Sequence, residues 1–232
     1  MREPDFKKAT QKATELLCEQ DLKFDRVLNV RNLKYDKHVV FDSIQNYCML
    51  TRTPVSTFLD PEKKILHDGC SLFDKRTGIY IVLNNDEVHY FEHANWTLAH
   101  EIGHIYLDHE NDGRTEEIEA HHFAAQLFMP EYTIYQMGRE YGKVTAKDLV
   151  EIFGVSPEAA QRRINSMNKR CSISSSKHDI NVWEMQEERI GLYYRCKESG
   201  EDYRYSLLQM EEYYYANAYE EILAANGLFY AY

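Results

Sequence analysis

The pattern of apolar and polar residues predicts two helices near the start of the chain. Residues 6–19 carry apolar side chains at positions i, i+4, i+7 and i+8 (Ala9, Ala13, Leu16 and Leu17), which is typical of one buried helix face. Residues 41–50, "FDSIQNYCML", lack a clean period, and we expect a short helix there.

Two short apolar runs then predict a pair of strands. "GCSLF" (69–73) and "IYIVLNN" (79–85) flank the turn-forming "DKRTG". The second run ends at "NND", which is a turn signal. These strands between helices predict an α+β fold.

The two helices that follow are the most strongly patterned part of the chain. One is predicted over about 95–109. A second is predicted over about 115–128, where the approach of Pro130 ends it, because proline has no amide hydrogen to donate.

Residues 131–170 are helical in pattern and mixed in charge. Within them "TAKDLVEIFGVSPEAAQRRINSM" predicts a helix, a glycine turn and a second helix. Ser156 is a good N-cap residue, and Pro157 suits the first helical position.

Beyond residue 170 the composition changes. "CSISSSKHD" is a serine-rich linker candidate, and 10 of the 18 tyrosines lie in 193–232. "RIGLYYRC" and "YRYSLLQM" flank "KESGED", which predicts a β-hairpin, and a last helix is predicted to end at Gly227.

Composition excludes several classes of protein. The chain has 232 residues, 44% of them hydrophobic and 28% charged, as in ordinary globular proteins. The net charge is −11, so binding to DNA phosphates would need a local basic patch. The charged start, "MREPDFKKATQ", has no apolar segment typical of a signal peptide, and no run approaches the roughly 20 apolar residues of a membrane span. Five scattered cysteines, an odd number, favour reduced thiols in a cytoplasm.

The candidate chemistry lies in "WTLAHEIGHIYLDHE", residues 96–110. At about 100° per residue, His100, Glu101 and His104 share one arc of a helix. The apolar residues lie on the opposite side (Leu98, Ile102, Ile105 and Tyr106). One face therefore packs, and the other is free for chemistry.

This spacing predicts a catalytic zinc site. Two imidazoles one helical turn apart, those of His100 and His104, can bind one zinc ion at about 2.0–2.1 Å. A catalytic zinc keeps three protein ligands and one water, whereas a structural zinc has four protein ligands. Glu101 is too close in sequence to bind beside both histidines, but it can take a proton from that water.

The third ligand is expected from the next helix, "EEIEAHHFAAQLFMP" (116–130). Glu117 borders its apolar face by about 60°, while Glu119 lies about 100° away on the other side, so both cannot point at one ion. We favour Glu117 and keep Glu119 as the alternative. His121 is placed to orient a ligand. His109, His121 and His122 are less favoured as direct ligands, and a chance motif on a solvated helix face is the simplest alternative to any metal site.

Three blocks in order resemble the ImmA/IrrE family of metallopeptidases. Members read approximately F-T-L-A-H-E-L-G-H, then E-x-E-A-N-x-F-A-x-x-L-L-M-P, and often V-S-x-x-A-x-x-x-R-L. The corresponding segments here are "WTLAHEIGH", "EEIEAHHFAAQLFMP" and "VSPEAAQRRI", which ends in Ile164 where the family has leucine. The resemblance spans roughly residues 5–168, and His121 stands where the family usually has asparagine.

The resemblance implies His100, His104 and Glu117 as zinc ligands and Glu101 as catalytic base. It also implies a zincin-like core with a small sheet, in which "GIYIVLNN" would be the edge strand that pairs with an extended substrate. The implied protein is a cytoplasmic endopeptidase of bacterial or prophage origin. Its substrate would be an XRE-type helix-turn-helix repressor of a mobile element, or it would act in a stress response.

We therefore predict three parts: a zincin-like core (1–130), a helical segment resembling a helix-turn-helix that packs on it (131–170), and a tyrosine-rich extension with a hairpin and a helix (171–232). Two rival functions remain. One is a zinc-bearing regulatory protein with little peptidase activity. The other is direct DNA binding through residues 144–170, which we expect to be unlikely because their net charge is only slightly positive.

Overall fold

The protein is described by a computed structural model that covers residues 2–24, 27–60, 63–88, 90–111, 113–169 and 175–225, with side chains described up to residue 219. In these ranges the helices are α1 (Phe6–Cys18), α2 (Ile44–Thr51), α3 (Phe91–Tyr106), α4 (Arg114–Phe128), α5 (Glu131–Tyr141), α6 (Ala146–Phe153), α7 (Pro157–Met167), α8 (Lys177–Ser199) and α9 (Tyr203–Ala225). The strands are β1 (Val39–Ser43), β2 (Gly69–Asp74) and β3 (Ile79–Asn84). The fold is α+β, as predicted.

Chain contacts divide the protein into two compact units. The first comprises residues 1–20 and 26–183, and the second comprises residues 21–25 and 184–232. The division predicted at residues 130 and 170 stays a prediction, since compactness does not test which segments fold independently. None of the helices in the described ranges combines the length and apolarity that a membrane crossing requires.

The first helix follows its predicted pattern. Ala9, Ala13, Leu16 and Leu17 are all buried. Asp5 caps the helix by accepting a hydrogen bond from the backbone N–H of Lys8, which satisfies one of the unpaired donors at the helix start. The helix packs mainly against α4, the helix predicted to supply the third metal ligand.

The sheet is mixed and has the order β1-β3-β2. The predicted strand, turn and strand are confirmed: β2 and β3 pair antiparallel, with Gly69 opposite Asn84 and Asp74 opposite Ile79. The turn between them has Asp74 accepting hydrogen bonds from the backbone of Arg76 and the hydroxyl of Thr77.

The prediction that "GIYIVLNN" forms the edge strand is wrong. An additional strand, β1, pairs in parallel with β3, so β3 is central and β2 is an edge. The sequence hid β1 because it runs directly into α2 at Ser43, and its five residues lack a regular alternation. Val82 and Leu83 in β3 are fully buried, as expected for a strand paired on both sides.

Helices α3 and α4 form the centre of the first unit. Gly103 allows their close approach, because a Cβ there would lie 3.2 Å from the backbone of Ala120 and 3.2 Å from Cβ of Phe123. The shared core is apolar and buried (Leu98, Ala99, Ile102, Ala120, Phe123, Ala124 and Leu127). This contact fixes the position of one predicted ligand helix against the other.

Helices α6 and α7 form the predicted helix, glycine turn and helix. Thr145 and Asp148 build a capping box at the start of α6, and Gly154 ends it in the left-handed region at φ 63°. Ser156 caps α7, and Pro157 occupies its first turn, as predicted.

The predicted C-terminal β-hairpin is wrong. The segment forms two long helices, α8 and α9, joined at Gly200 with φ 79°. The buried side chains of α8 recur every three or four positions rather than alternating (Val182, Trp183, Gln186, Arg189, Ile190, Tyr193, Tyr194 and Cys196). Tyrosine and isoleucine have high strand propensity, so the pattern over a short window of sequence predicted strands. The segment is helical because helix formation buries one stripe of its side chains.

Within the second unit, aromatic rings from different segments contact one another. The ring of Tyr193 meets that of Tyr203 at 5.2 Å, and Phe24 meets Tyr214 at 5.1 Å. Part of the predicted serine-rich linker, residues 171–174, and the predicted helix end at Gly227 lie outside the described residues.

Candidate metal centre

Three side chains from α3 and α4 bring their donor atoms together. His100 and His104 are both buried, and their Nε2 atoms lie 3.1 Å apart. Glu117 places Oε2 3.3 Å from Nε2 of His100 and Oε1 3.4 Å from Nε2 of His104. These are the three residues predicted as ligands, and their side chains form a compact triangle in which each imidazole faces a different carboxylate oxygen of Glu117.

The dimensions of this triangle fit a zinc ion. Zinc binds imidazole nitrogen and carboxylate oxygen at about 2.0–2.2 Å, so two ligands of a tetrahedral site lie about 3.3 Å apart. The corresponding distances in the structure are 3.1 Å between the two imidazole nitrogens and 3.3 and 3.4 Å from these nitrogens to the two carboxylate oxygens of Glu117. His100, His104 and Glu117 can therefore hold one zinc ion with little movement.

The charge state of Glu117 also suits a metal ligand. Hydrogen bonds from His100 and then from His104 hold the pKa of the Glu117 carboxyl far below its usual value. The group is therefore ionised at neutral pH, which is the state in which a carboxylate binds a cation.

Glu119, the alternative ligand, points elsewhere. It lies 2.8 Å from the Arg2 guanidinium and accepts a hydrogen bond of 2.5 Å from the backbone N–H of Asp5. Its side chain is 3% exposed and contacts Nε2 of His109 at 2.9 Å. The structure thus separates the roles of two glutamates that differ by two positions on α4.

His109 forms a second layer behind His104. Its Nδ1 lies 3.0 Å from Nδ1 of His104, on the side of that ring away from the triangle. Asp108 adopts a left-handed conformation at φ 58°, which turns the chain after α3, and the backbone N–H of His109 bonds to the carbonyl of His104 at 3.0 Å. The resulting chain of contacts runs from His104 through His109 to Glu119 and Arg2, and it can fix the orientation of the His104 ring.

Sequence reasoning considered His109 only as a direct ligand and missed this contact. The available signal was its place five residues after His104, just past the helix end. Residues there can fold back under the last turn, but the direction depends on the backbone angle of Asp108, which the sequence does not specify.

His121 lies at the open side of the triangle. Its ring centroid is 4.3 Å from that of His100, and His100, Glu117 and His121 form a second group of donor atoms within 4.8 Å of one another. This group is looser than the triangle that includes His104. We take the tighter set as the candidate first coordination shell, with His121 as its exposed neighbour.

Glu101 follows His100 on α3 and lies beside the edge strand β2. It is buried, and Gly69 at the start of β2 approaches it so closely that a Cβ at Gly69 would lie 3.6 Å from its Cγ. The same Cβ would collide with Thr97, so only glycine fits this position. The predicted general base therefore stands beside the strand that a bound peptide would follow.

Comparison with known protein families adds one finding. Residues 66–165 match the sequence model of the Peptidase_M78 family, which is described as the IrrE N-terminal-like domain. The match spans β2 to α7 and contains every candidate site residue. It confirms the predicted ImmA/IrrE resemblance and supports a metallopeptidase type of function, while α1, β1 and α2 lie outside it. No curated protein matches the chain in a sequence search.

Proposed function

We propose that this protein, whose residues 66–165 match the IrrE N-terminal-like domain of the Peptidase_M78 family, is a zinc-dependent endopeptidase that cleaves a specific protein. The observation that carries the proposal is the triangle of donor atoms from His100, His104 and Glu117, with edges of 3.1–3.4 Å. These three residues would hold the zinc.

When bound, zinc would polarise the scissile carbonyl and lower the pKa of a water molecule toward about 7. Glu101 would take the proton of that water and deliver it to the leaving amine as the peptide bond breaks. Its buried side chain lies beside Gly69, at the start of the edge strand β2.

The substrate would bind as an added strand on β2. Edge strands expose unpaired backbone groups that can pair with an extended peptide. β2 is the edge strand that touches Glu101 through Gly69, whereas β3 is paired on both sides. The sheet topology thus transfers the proposed peptide-binding role from β3 to β2.

We extend the proposal to an XRE-type helix-turn-helix repressor as substrate, in a cytoplasm, on the strength of the ImmA/IrrE resemblance. A protein partner is also favoured over DNA by the packing of α7. Arg163 is 3% exposed and donates to the carbonyl of Met129 and to Glu131, so it is committed to the interior. Of the two neighbouring arginines in α7, Arg162 is the exposed one.

The test uses Glu101→Gln, which keeps the ligands and removes the base. Partners captured by this variant from the host lysate are identified by mass spectrometry and incubated with wild type, with and without a chelator. We expect wild type to cut a captured protein only with metal present. Glu110→Gln, an exposed glutamate just beyond α3, should behave as wild type.

Bound zinc is measured in all three proteins. A stable partner that wild type never cuts, with zinc at full occupancy, would replace the endopeptidase proposal by that of a zinc-bearing regulatory protein. Cleavage by Glu101→Gln at the wild-type rate would remove Glu101 from the mechanism.

A further inference from the structure

A large cavity opens beside the candidate metal centre. Its volume is about 870 Å³, and it lies between the first half of α3, the second half of α4 and the turn from α6 to α7. Ligand-binding cavities in proteins commonly measure about 300–1,000 Å³. The cavity is therefore large enough to bind a ligand and is too large to be a packing defect.

The walls of the cavity are mainly apolar. Trp96 and Phe128 stack with ring centroids 5.6 Å apart and an interplanar angle of 18°. Val150, Phe153 and Val155 line the side formed by α6 and its turn. Aromatic and branched side chains of this kind favour an apolar occupant.

The cavity and the metal centre meet at His121. This exposed residue lines the cavity, and its ring stands 4.3 Å from that of His100. A peptide whose carbonyl group lies at the triangle would therefore have one flanking side chain at the cavity entrance.

Several charged groups in the lining are engaged by protein partners. His93 pairs with Asp68 at 3.0 Å, Arg162 pairs with Glu158 at 2.6 Å, and Nε2 of His122 lies 2.9 Å from the Thr10 hydroxyl. Arg163 is bound to Glu131. A charged side chain that entered the cavity would lose hydration against its apolar walls, whereas an apolar side chain would not bear this cost.

We propose that this cavity is the specificity pocket of the enzyme and receives a bulky apolar side chain, aromatic or large aliphatic, from a residue next to the scissile bond. The inference rests on the proposed peptidase function, which it deepens by assigning a class of cleavage site. Burial of a phenylalanine-sized side chain should favour such a substrate over its alanine counterpart by on the order of 10- to 100-fold.

The first test measures binding without hydrolysis. Trp96 is a reporter inside the cavity, and Trp183→Phe removes the only other tryptophan. In this background with Glu101→Gln, we titrate the acetylated and amidated tripeptides Ala-Phe-Ala and Ala-Ala-Ala and follow tryptophan emission. We expect a saturable change with the phenylalanine peptide and binding at least about 10-fold weaker with the alanine peptide.

A cavity-filling variant provides the specificity control. Ala125 lines the cavity from α4, so Ala125→Phe should abolish the emission change, whereas the same substitution at the exposed Ala216 of α9 should leave it intact. Equal binding of the two peptides, or no effect of Ala125→Phe, would overturn the pocket assignment.

The second test maps cleavage sites in a peptide library by mass spectrometry with zinc-loaded wild type and Ala125→Phe. We expect bulky apolar residues at one position next to the cut in wild type and a shift to small residues in the variant. Binding of the phenylalanine peptide without any cleavage would refute the proposed function and leave the pocket standing. Cleavage with no preference for bulky apolar residues would refute the pocket and leave the function standing.

Discussion

Substitution of Gly103 by alanine tests how closely the two ligand helices must approach. A Cβ at this position would lie 3.2 Å from Cα and from the carbonyl oxygen of Ala120, and 3.2 Å from Cβ of Phe123. Ordinary carbon contacts are about 3.5–4.0 Å, so α4 would have to retreat by a few tenths of an ångström. Two of the three crowded atoms belong to the backbone of a packed helix, which cannot move without moving the helix.

Two opposing energies decide the result. Replacing glycine by alanine in a helix stabilises it by about 1 kcal/mol, whereas overpacking a core costs about 1–3 kcal/mol. We expect the free energy of unfolding of the metal-free protein to fall by up to about 2 kcal/mol. Since Glu117 lies one turn before Ala120 on α4, its distances of 3.3 and 3.4 Å to the histidines should lengthen. We expect zinc affinity to fall by on the order of 10-fold, as for other changes that disturb ligand orientation.

Urea unfolding in chelator and competition with a fluorescent zinc indicator measure the two effects. Gly138→Ala is the matched control, because Gly138 is exposed in α5 and a Cβ there would meet only Val144, at 4.0 Å. The control should gain about 0.5–1 kcal/mol of stability and keep its zinc affinity. If Gly103→Ala is stabilised equally and binds zinc as tightly as wild type, the close approach of α3 and α4 is not what holds Glu117 in place.

Two further predictions concern buried polar contacts. His109→Ala removes the ring behind His104 and should lower zinc affinity by about 10- to 100-fold in the indicator assay. The control is His67→Ala, at an exposed histidine, which should not lower it. Equal affinities for the two variants would show that His109 does not orient His104. Arg163→Met leaves Glu131 without its buried cation and should lower the free energy of unfolding in urea by about 3–5 kcal/mol. Arg162 has a side chain that is 80% exposed, so Arg162→Met should change this free energy by no more than about 0.5 kcal/mol. Similar losses for both variants would mean that Arg163 is not held in the interior.

Local signals account for the parts of the fold that were predicted correctly. The burial of Ala9, Ala13, Leu16 and Leu17 follows from spacing along a single helix. The start of α7 at Ser156 and Pro157 follows from hydrogen bonding and ring geometry within one turn. These interactions join residues a few positions apart, so the sequence contains all the information they need.

The errors have a common cause in contacts between distant segments. The central place of β3 depends on its pairing with β1, about 40 positions earlier in the chain. The helical form of α8 and α9 depends on which tyrosines become buried, and short windows rich in tyrosine and isoleucine favour strands by propensity alone. Neither the β1–β3 pairing nor the burial of these tyrosines can be detected in a short window of the sequence.

In the metal centre too, some features follow from the local sequence and others from tertiary contacts. The sequence by itself determined that His100, Glu101 and His104 share one helix face, because the rotation per residue is a property of every α-helix. Only the tertiary structure decided that Glu117 reaches the two imidazoles while Glu119 turns to Arg2 and His109. The rotation of α4 about its own axis is set by packing against both α1 and α3, with Gly103 at the closest contact. That rotation depends on contacts along the whole of both helix interfaces, and no short segment of the sequence specifies all of them.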